Sequence, residues 1–131
     1  MNTLDNIITK LNGLAISGGA DFNAIQDAEN MLRLSFSKEY VEYLLKYGQI
    51  EAKGIELSGI SNKTLTSVVN LTLKERVDES FPMNHYVIED IGIDGIVYTQ
   101  DNSGYIYQHL PNRKPMKVSD SLAEYIQNNL K

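Results

Sequence analysis

A chain of 131 residues has room for one hydrophobic core, and with 42% hydrophobic against 22% charged residues it is too apolar to stay disordered. The absence of cysteine excludes disulfides, thiolate zinc sites and cysteine nucleophiles. Twelve Lys and Arg against seventeen Asp and Glu leave a net charge of −5, which suits a basic protein partner and argues against direct binding to nucleic-acid phosphate.

The first element places Leu4, Ile7, Ile8 and Leu11 on one stripe of an amphipathic helix, with Asn2 or Thr3 as cap and Gly13 beyond its end. After the glycine-rich turn Ser17-Gly18-Gly19, Asp21 is the expected N-cap of a second helix carrying Ile25, Ala28 and Leu32 on one side. The third helix has the strongest pattern. Phe36, Tyr40, Val41, Leu44 and Leu45 recur at helical spacing, Ser35 or Ser37 can cap them, and Gly48 suits a left-handed C-terminal position. Tyr40, Tyr43 and Tyr47 share a flank of this helix, a pattern expected of core packing.

Gly54 to Gly59 alternates apolar and polar residues and reads as a short strand. Over residues 63–79, Leu65, Val68, Val69, Leu73 and Val77 fit a helix, and the length and charged stretch Lys74-Glu75-Arg76 favour it over a strand, with Pro82 as its end. A meander follows: Tyr86–Ile88, Ile96–Thr99, Tyr105–Gln108 and Met116–Val118, with turns at Asp94-Gly95 and Asp101-Asn102-Ser103-Gly104. Ser121-Leu122-Ala123-Glu124 has capping-box form, and Leu122, Tyr125, Ile126 and Leu130 make a closing stripe. Early helices, then sequential strands, then a helix predict an α+β fold with a mainly antiparallel sheet. With no repeat or linker in sight, a single domain is expected over residues 1–131. No signal peptide or membrane span is expected, so the predicted location is cytoplasmic, away from membranes.

Catalytic constellations are missing from the sequence. There is no Gly-x-Ser-x-Gly elbow, and His85 and His109, each beside a strand without an acidic neighbour at helical spacing, read as surface or turn residues. Asp101-Asn102-Ser103-Gly104 lacks the spacing and distal Glu of an EF-hand loop, and Asp and Asn sit naturally in turns. Ser17-Gly18-Gly19 is too short for a phosphate loop. Neither enzyme activity nor a metal or cofactor is expected.

One region does stand out. Between Val77 and Asn112 there are carboxylates at Asp78, Glu79, Glu89, Asp90, Asp94 and Asp101 but no Lys or Arg, together with Tyr86, Tyr98, Tyr105 and Tyr107. If Thr99 pairs with Gly104, Tyr98 faces Tyr105 and Ile96 faces Tyr107 on one side of the hairpin, with Val97 and Ile106 on the other. Tyrosine offers apolar area with a polar tip, so a protein-binding surface of Glu89, Asp90, Asp94, Tyr98, Asp101, Tyr105 and Tyr107 is the candidate site. The competing reading is that these tyrosines pack under a helix while the acids solvate turns.

The order of these elements resembles the SUKH superfamily, which includes the Smi/Knr-type proteins. In that family an acid-bearing helix precedes a Leu-Pro-x-x-Tyr-x-x-Phe-Leu segment and a Gly. Here Ala28-Glu29-Asn30-Met31-Leu32 precedes Phe36-Ser37-Lys38-Glu39-Tyr40-Val41-Glu42-Tyr43-Leu44 and Gly48. The stretches Gly54–Ile60, Val87–Gly92 with Asp94-Gly95, and Gly104–Tyr107 ahead of a closing helix also look family-like. The departure is at Phe36-Ser37, where the family proline is lost and a serine cap stands instead. The resemblance implies helices packed on a mainly antiparallel sheet, no enzyme activity, and, for many bacterial members, an immunity role: binding and neutralising a cognate toxin domain, often a nuclease. It carries over no binding residue. A regulatory scaffold or adaptor and a small-ligand sensor are the alternatives on the same fold.

Overall fold

The computed structural model describes residues 3–130. Helix α1 (Thr3–Ile8) leads to the two-residue strand β1 (Ala15–Ile16), then α2 (Phe22–Leu32) and α3 (Lys38–Tyr47). Strands β2 (Ile50–Ala52) and β3 (Ile55–Glu56), a 3-10 turn (Thr64–Thr66) and α4 (Val68–Glu75) follow. The meander β4 (Tyr86–Asp90), β5 (Val97–Gln100), β6 (Ile106–His109), β7 (Met116–Ser119) and the closing α5 (Leu122–Asn129) complete it. There are two antiparallel sheets, ordered β1-β2-β3 and β4-β5-β6-β7. The α+β expectation holds.

Side-chain caps set where the helices begin. Asp21, Ser37, Ser67 and Ser121 each sit in extended backbone and accept the amide three residues on, at Ala24, Tyr40, Asn70 and Glu124. Each such bond satisfies an orphan amide and contributes about 1 kcal/mol. For α1, Asn2 lies outside the described residues.

The core is built around tyrosines whose hydroxyls are all satisfied. Tyr40, Tyr43 and Tyr86 are fully buried. The Tyr40 hydroxyl pairs with Ser58 Oγ at 2.8 Å, and Tyr43 donates to the Ser58 carbonyl at 2.8 Å while accepting from the Ile50 amide at 3.1 Å. Tyr86 donates to Gln100 Oε1 at 2.8 Å and accepts from the Ser37 amide at 2.9 Å. An unmet buried hydroxyl costs about 1–3 kcal/mol, so these partners hold α3, the β3 exit and β4 in one arrangement. The α3 tyrosine stripe is core, as its spacing predicts.

Several expectations need correction. Gly48 has positive φ, but at φ 69° and ψ −60° it lies outside the left-handed helical well. The strand expected over Gly54–Gly59 shrinks to Ile55–Glu56, and β1 and β2 were not foreseen. In the 63–79 segment the helix starts later, at Val68, and turns Val68 and Thr72 inward, leaving Leu65, Leu73 and Val77 exposed. Leu45 and Leu130 are exposed as well. The hairpin register is displaced by three residues: Val97 pairs with His109, Tyr98 with Gln108, Thr99 with Tyr107 and Gln100 with Ile106. An odd displacement exchanges faces. Tyr98, Gln100 and Ile106 therefore face the main core, while Thr99, Tyr107 and His109 join Val97 on the outer face. There a second, smaller cluster forms from Phe81, Val87 and Val97, with Leu71 against it.

The two edges of the larger sheet are protected in different ways. The β4 edge is closed by the Val87 amide donating to Thr72 Oγ1 at 2.9 Å and by Ser58, whose amide and hydroxyl each donate at 2.7 Å to the Ile88 and Val87 carbonyls. The β7 edge breaks register against Ile106 and Tyr107 and carries Lys117. A register break and a lysine both discourage a further strand from pairing.

Candidate functional site

The seven residues singled out from the sequence occupy three separate places. Glu89 is the first departure. β4 breaks register at Ile88, so that Glu89 lies opposite Tyr98 on the core face. There it is buried, accepts the Tyr125 hydroxyl at Oε1, and accepts the Glu56 amide at Oε2 at 2.8 Å. Burial holds its carboxyl above the ordinary range, against the opposing pull of those two bonds. Half-buried Tyr98 packs on Tyr125 at 5.0 Å between ring centroids and accepts from Gln108 Nε2 at 3.0 Å. These two residues tie β3, the sheet and α5 together.

Asp101, Tyr105 and Tyr107 lie at the β5–β6 turn. Asp101 is buried; its Oδ1 accepts the Ser103 and Tyr105 amides at 3.0 and 3.1 Å, and its Oδ2 accepts the Tyr107 hydroxyl at 2.9 Å. The turn reading of this aspartate is right, and its bonds explain the register. The Asp101 amide also donates to the Tyr105 carbonyl at 3.2 Å, so the loop closes between Asp101 and Tyr105 rather than between Thr99 and Gly104. Burial, then the Asp101 bond, raises the Tyr107 hydroxyl pKa. Tyr105 is 41% exposed, with Lys117 Nζ 4.1 Å from its ring centroid.

Asp90 and Asp94 lie at the opposite end of β5, in the β4–β5 loop. Asp90 is half-buried, accepts the Gly92 amide at 2.9 Å and approaches Lys74 Nζ at 3.9 Å. Asp94 is exposed at φ 53°, and Gly95 follows at φ 72°. Both turn positions take the positive φ expected of them. Here the structure adds what the sequence left hidden. Glu75 on α4 has its carboxyl pKa raised by burial and then by the charges of Asp90 and Asp78, so three carboxylates from α4, its exit and β4 share one neighbourhood. Apolar side chains are exposed along the same segments: Leu65 in the 3-10 turn, Leu73 in α4, Val77 beyond its end, and Ile91 and Ile93 in the β4–β5 loop. Leu65, Lys74, Asp90 and Gly92 line one shallow groove between the two elements.

Carboxylates and exposed branched residues thus lie on the same segments of the chain, α4 with its exit and the end of β4 with the loop after it. The signal available in the sequence was the Lys- and Arg-free stretch containing Asp78, Glu79, Asp90 and Asp94. The apolar half was masked, because Leu65, Leu73 and Val77 fit a buried helical stripe equally well.

On the outer sheet face the two histidines are not surface residues, correcting the sequence reading. His85 and His109 are 6% and 9% exposed. Burial lowers the pKa of both; His109, with His85 beside it, falls to about 4. Their direct hydrogen-bond partners are each other and Thr99. Thr99 is wholly buried. Among the described residues no group of three or more His, Asp or Glu is arranged to hold a metal ion, and no helix is long and apolar enough to cross a membrane.

Comparison with known proteins agrees with the architecture. Curated proteins give no match to this chain. The SUKH_5 family model, described as SMI1-KNR4 cell-wall, matches residues 3–131. With the match running the length of the chain over helices, meander and closing helix in the expected order, this protein belongs to the SUKH superfamily.

Proposed function

We propose that this domain works without catalysis, as an immunity protein that binds and neutralises a cognate basic toxin domain in the cytoplasm. The observation that carries the reading is the acidic and apolar surface formed by α4 and the β4–β5 loop. Its carboxylates are Glu75, Asp78, Asp90 and Asp94, with Lys74 beside Asp90, in a chain of net charge −5. A nuclease presents a positive face to its substrate phosphates. An acidic inhibitor seated on that face blocks it, with carboxylates steering approach and branched side chains supplying buried area. Membership of a family associated with such roles supports the reading.

The decisive test uses the toxin encoded next to this gene. Co-expression should protect cells; unprotected cells would end the immunity reading. For the surface, Asp78→Asn, Asp90→Asn and Asp94→Asn together remove charge, while asparagine keeps an acceptor for the Ser80 and Gly92 amides and tolerates positive φ at 94. The triple variant should associate roughly tenfold more slowly at low salt, with a flatter salt dependence, by stopped-flow fluorescence. Unchanged association would move the contact to another face.

A further inference from the structure

We propose that His85, Thr99 and His109 form a proton-sensitive latch, which fastens the connection between α4 and β4 onto the outer sheet face at neutral pH and releases it on acidification.

The three polar atoms form a closed triangle. His85 Nδ1 lies 2.9 Å from Thr99 Oγ1 and 3.2 Å from His109 Nε2, and Thr99 Oγ1 lies 2.8 Å from that same nitrogen. With both rings neutral the triangle satisfies itself: one nitrogen carries a proton, the other offers a lone pair, and the hydroxyl donates to one and accepts from the other. A further proton on the lone-pair nitrogen breaks this count. Two N–H groups would then face each other, and the threonine hydrogen would turn away into a site that is wholly buried. The added charge would also sit among Phe81, Val87 and Val97.

The connection itself has few other ties to the sheet. Phe81 lies on His109 at 5.0 Å between ring centroids, and His85 stacks on Tyr107 at 4.4 Å. The Phe81 cluster is separate from the main core, so this stretch can lift while the rest stays folded. Charged groups surround the pair from each packed element. Asp101 at the β5–β6 turn pulls the His85 pKa upward but does not overcome burial. On the connection, Arg76 donates to the Met83 carbonyl at 3.0 Å. Beside His109 a cleft of about 580 Å³ is lined by Glu75 and Asp78 on one side and Arg113 and Lys114 on the other. These four charges balance, and the cleft gives water a route to the ring.

The direction follows from linkage. A histidine held near 4 when latched and near 6.5 when released binds protons mainly in the released state. The latch is therefore intact above about pH 6.5 and is lost as the pH falls toward 4. For one such group, opening becomes roughly twenty-fold easier at pH 5 than at pH 7.

Hydrogen exchange on the free protein tests this, without any partner and so independently of the immunity reading. After correction for intrinsic rates, amides of residues 78–85 should lose roughly twenty-fold protection between pH 7 and pH 5, with α2 and α3 unchanged. His109→Gln should abolish most of that change. Imidazole NMR titration of the unaltered protein supplies a second readout, with His109 titrating well below a free imidazole until the segment opens. Flat protection in the unaltered protein, an equal loss in His109→Gln, or a His109 that protonates near 6.5 while the segment stays protected would each overturn the latch.

Discussion

Gly48→Ala is expected to destabilise the fold by about 3 kcal/mol or more, measured as a drop in the urea midpoint with an unchanged slope. Two costs coincide at this position. Its φ of 69° with ψ −60° is a backbone conformation that side-chain-bearing residues rarely adopt. A Cβ there would also stand 2.1 Å from the Gly18 carbonyl oxygen and 3.1 Å from that of Ile60. Neither neighbour is a flexible side chain, so backbone must move. The crowding belongs to a three-way crossing. The Gly18 amide donates to the Tyr47 carbonyl at 3.0 Å, Ala20 to Leu44 at 2.9 Å, and Ile60 to Gly48 at 2.9 Å, which together satisfy the orphan carbonyls at the end of α3. Gly54→Ala is the control. Its φ of 82° carries strain but a Cβ there meets nothing within 4 Å, so it should cost only about 1 kcal/mol. Equal costs at 48 and 54 would show that close approach contributes nothing.

The second large effect is at Glu89. Truncation to alanine leaves the Glu56 amide and the Tyr125 hydroxyl without their acceptor and opens a cavity, for an expected loss of about 3 kcal/mol. Glu89→Gln behaves differently. Its amide oxygen can still accept from Glu56 while its nitrogen donates to the Tyr125 oxygen, and no buried charge remains. Because burial holds the Glu89 pKa above its unfolded value, the folded protein binds that proton more tightly. The group's contribution is therefore greatest at acid pH and is lost as pH rises through the raised pKa. Urea unfolding should find Glu89→Gln at least as stable as the unaltered protein at pH 7, with the gap closing by pH 5. A gap that widens on acidification would mean the charge itself is wanted.

The helices and the order of the meander were legible because their signals are local. Asp21 and Ser37 cap where their position before an apolar stripe says they should, and the Tyr40, Tyr43 and Tyr47 flank points inward. What failed depended on partners distant in sequence. Strands β1 and β2 are two and three residues long and exist only because they pair with each other across α2 and α3. The hairpin register turned on Asp101, whose carboxylate gathers two amides and a tyrosine hydroxyl into a loop closed at Asp101 and Tyr105; Asp-Asn-Ser-Gly marks the turn but leaves its closing pair open. The displacement sent Tyr98 and Tyr107 to opposite faces, so the expected tyrosine surface does not assemble. Acids posed the same difficulty. Glu89 and Asp101 do internal bonding, whereas Asp90 and Asp94 remain near the surface, and nothing in their immediate neighbours separates the two pairs. Periodicity also cannot say which side of α4 is dry, which is why Leu65, Leu73 and Val77 looked like core.

The sealed margins of the four-stranded sheet limit how this molecule can meet another. With Ser58 and Thr72 consuming the main-chain groups of β4, and a dislocated, lysine-bearing β7 at the far side, capture by backbone zippering is disfavoured at either flank. Recognition then falls to the identities of protruding residues. On the immunity reading proposed above, selectivity for a new opponent would be rewritten by substitutions in the β4–β5 loop and along the outside of α4, with the framework beneath left intact.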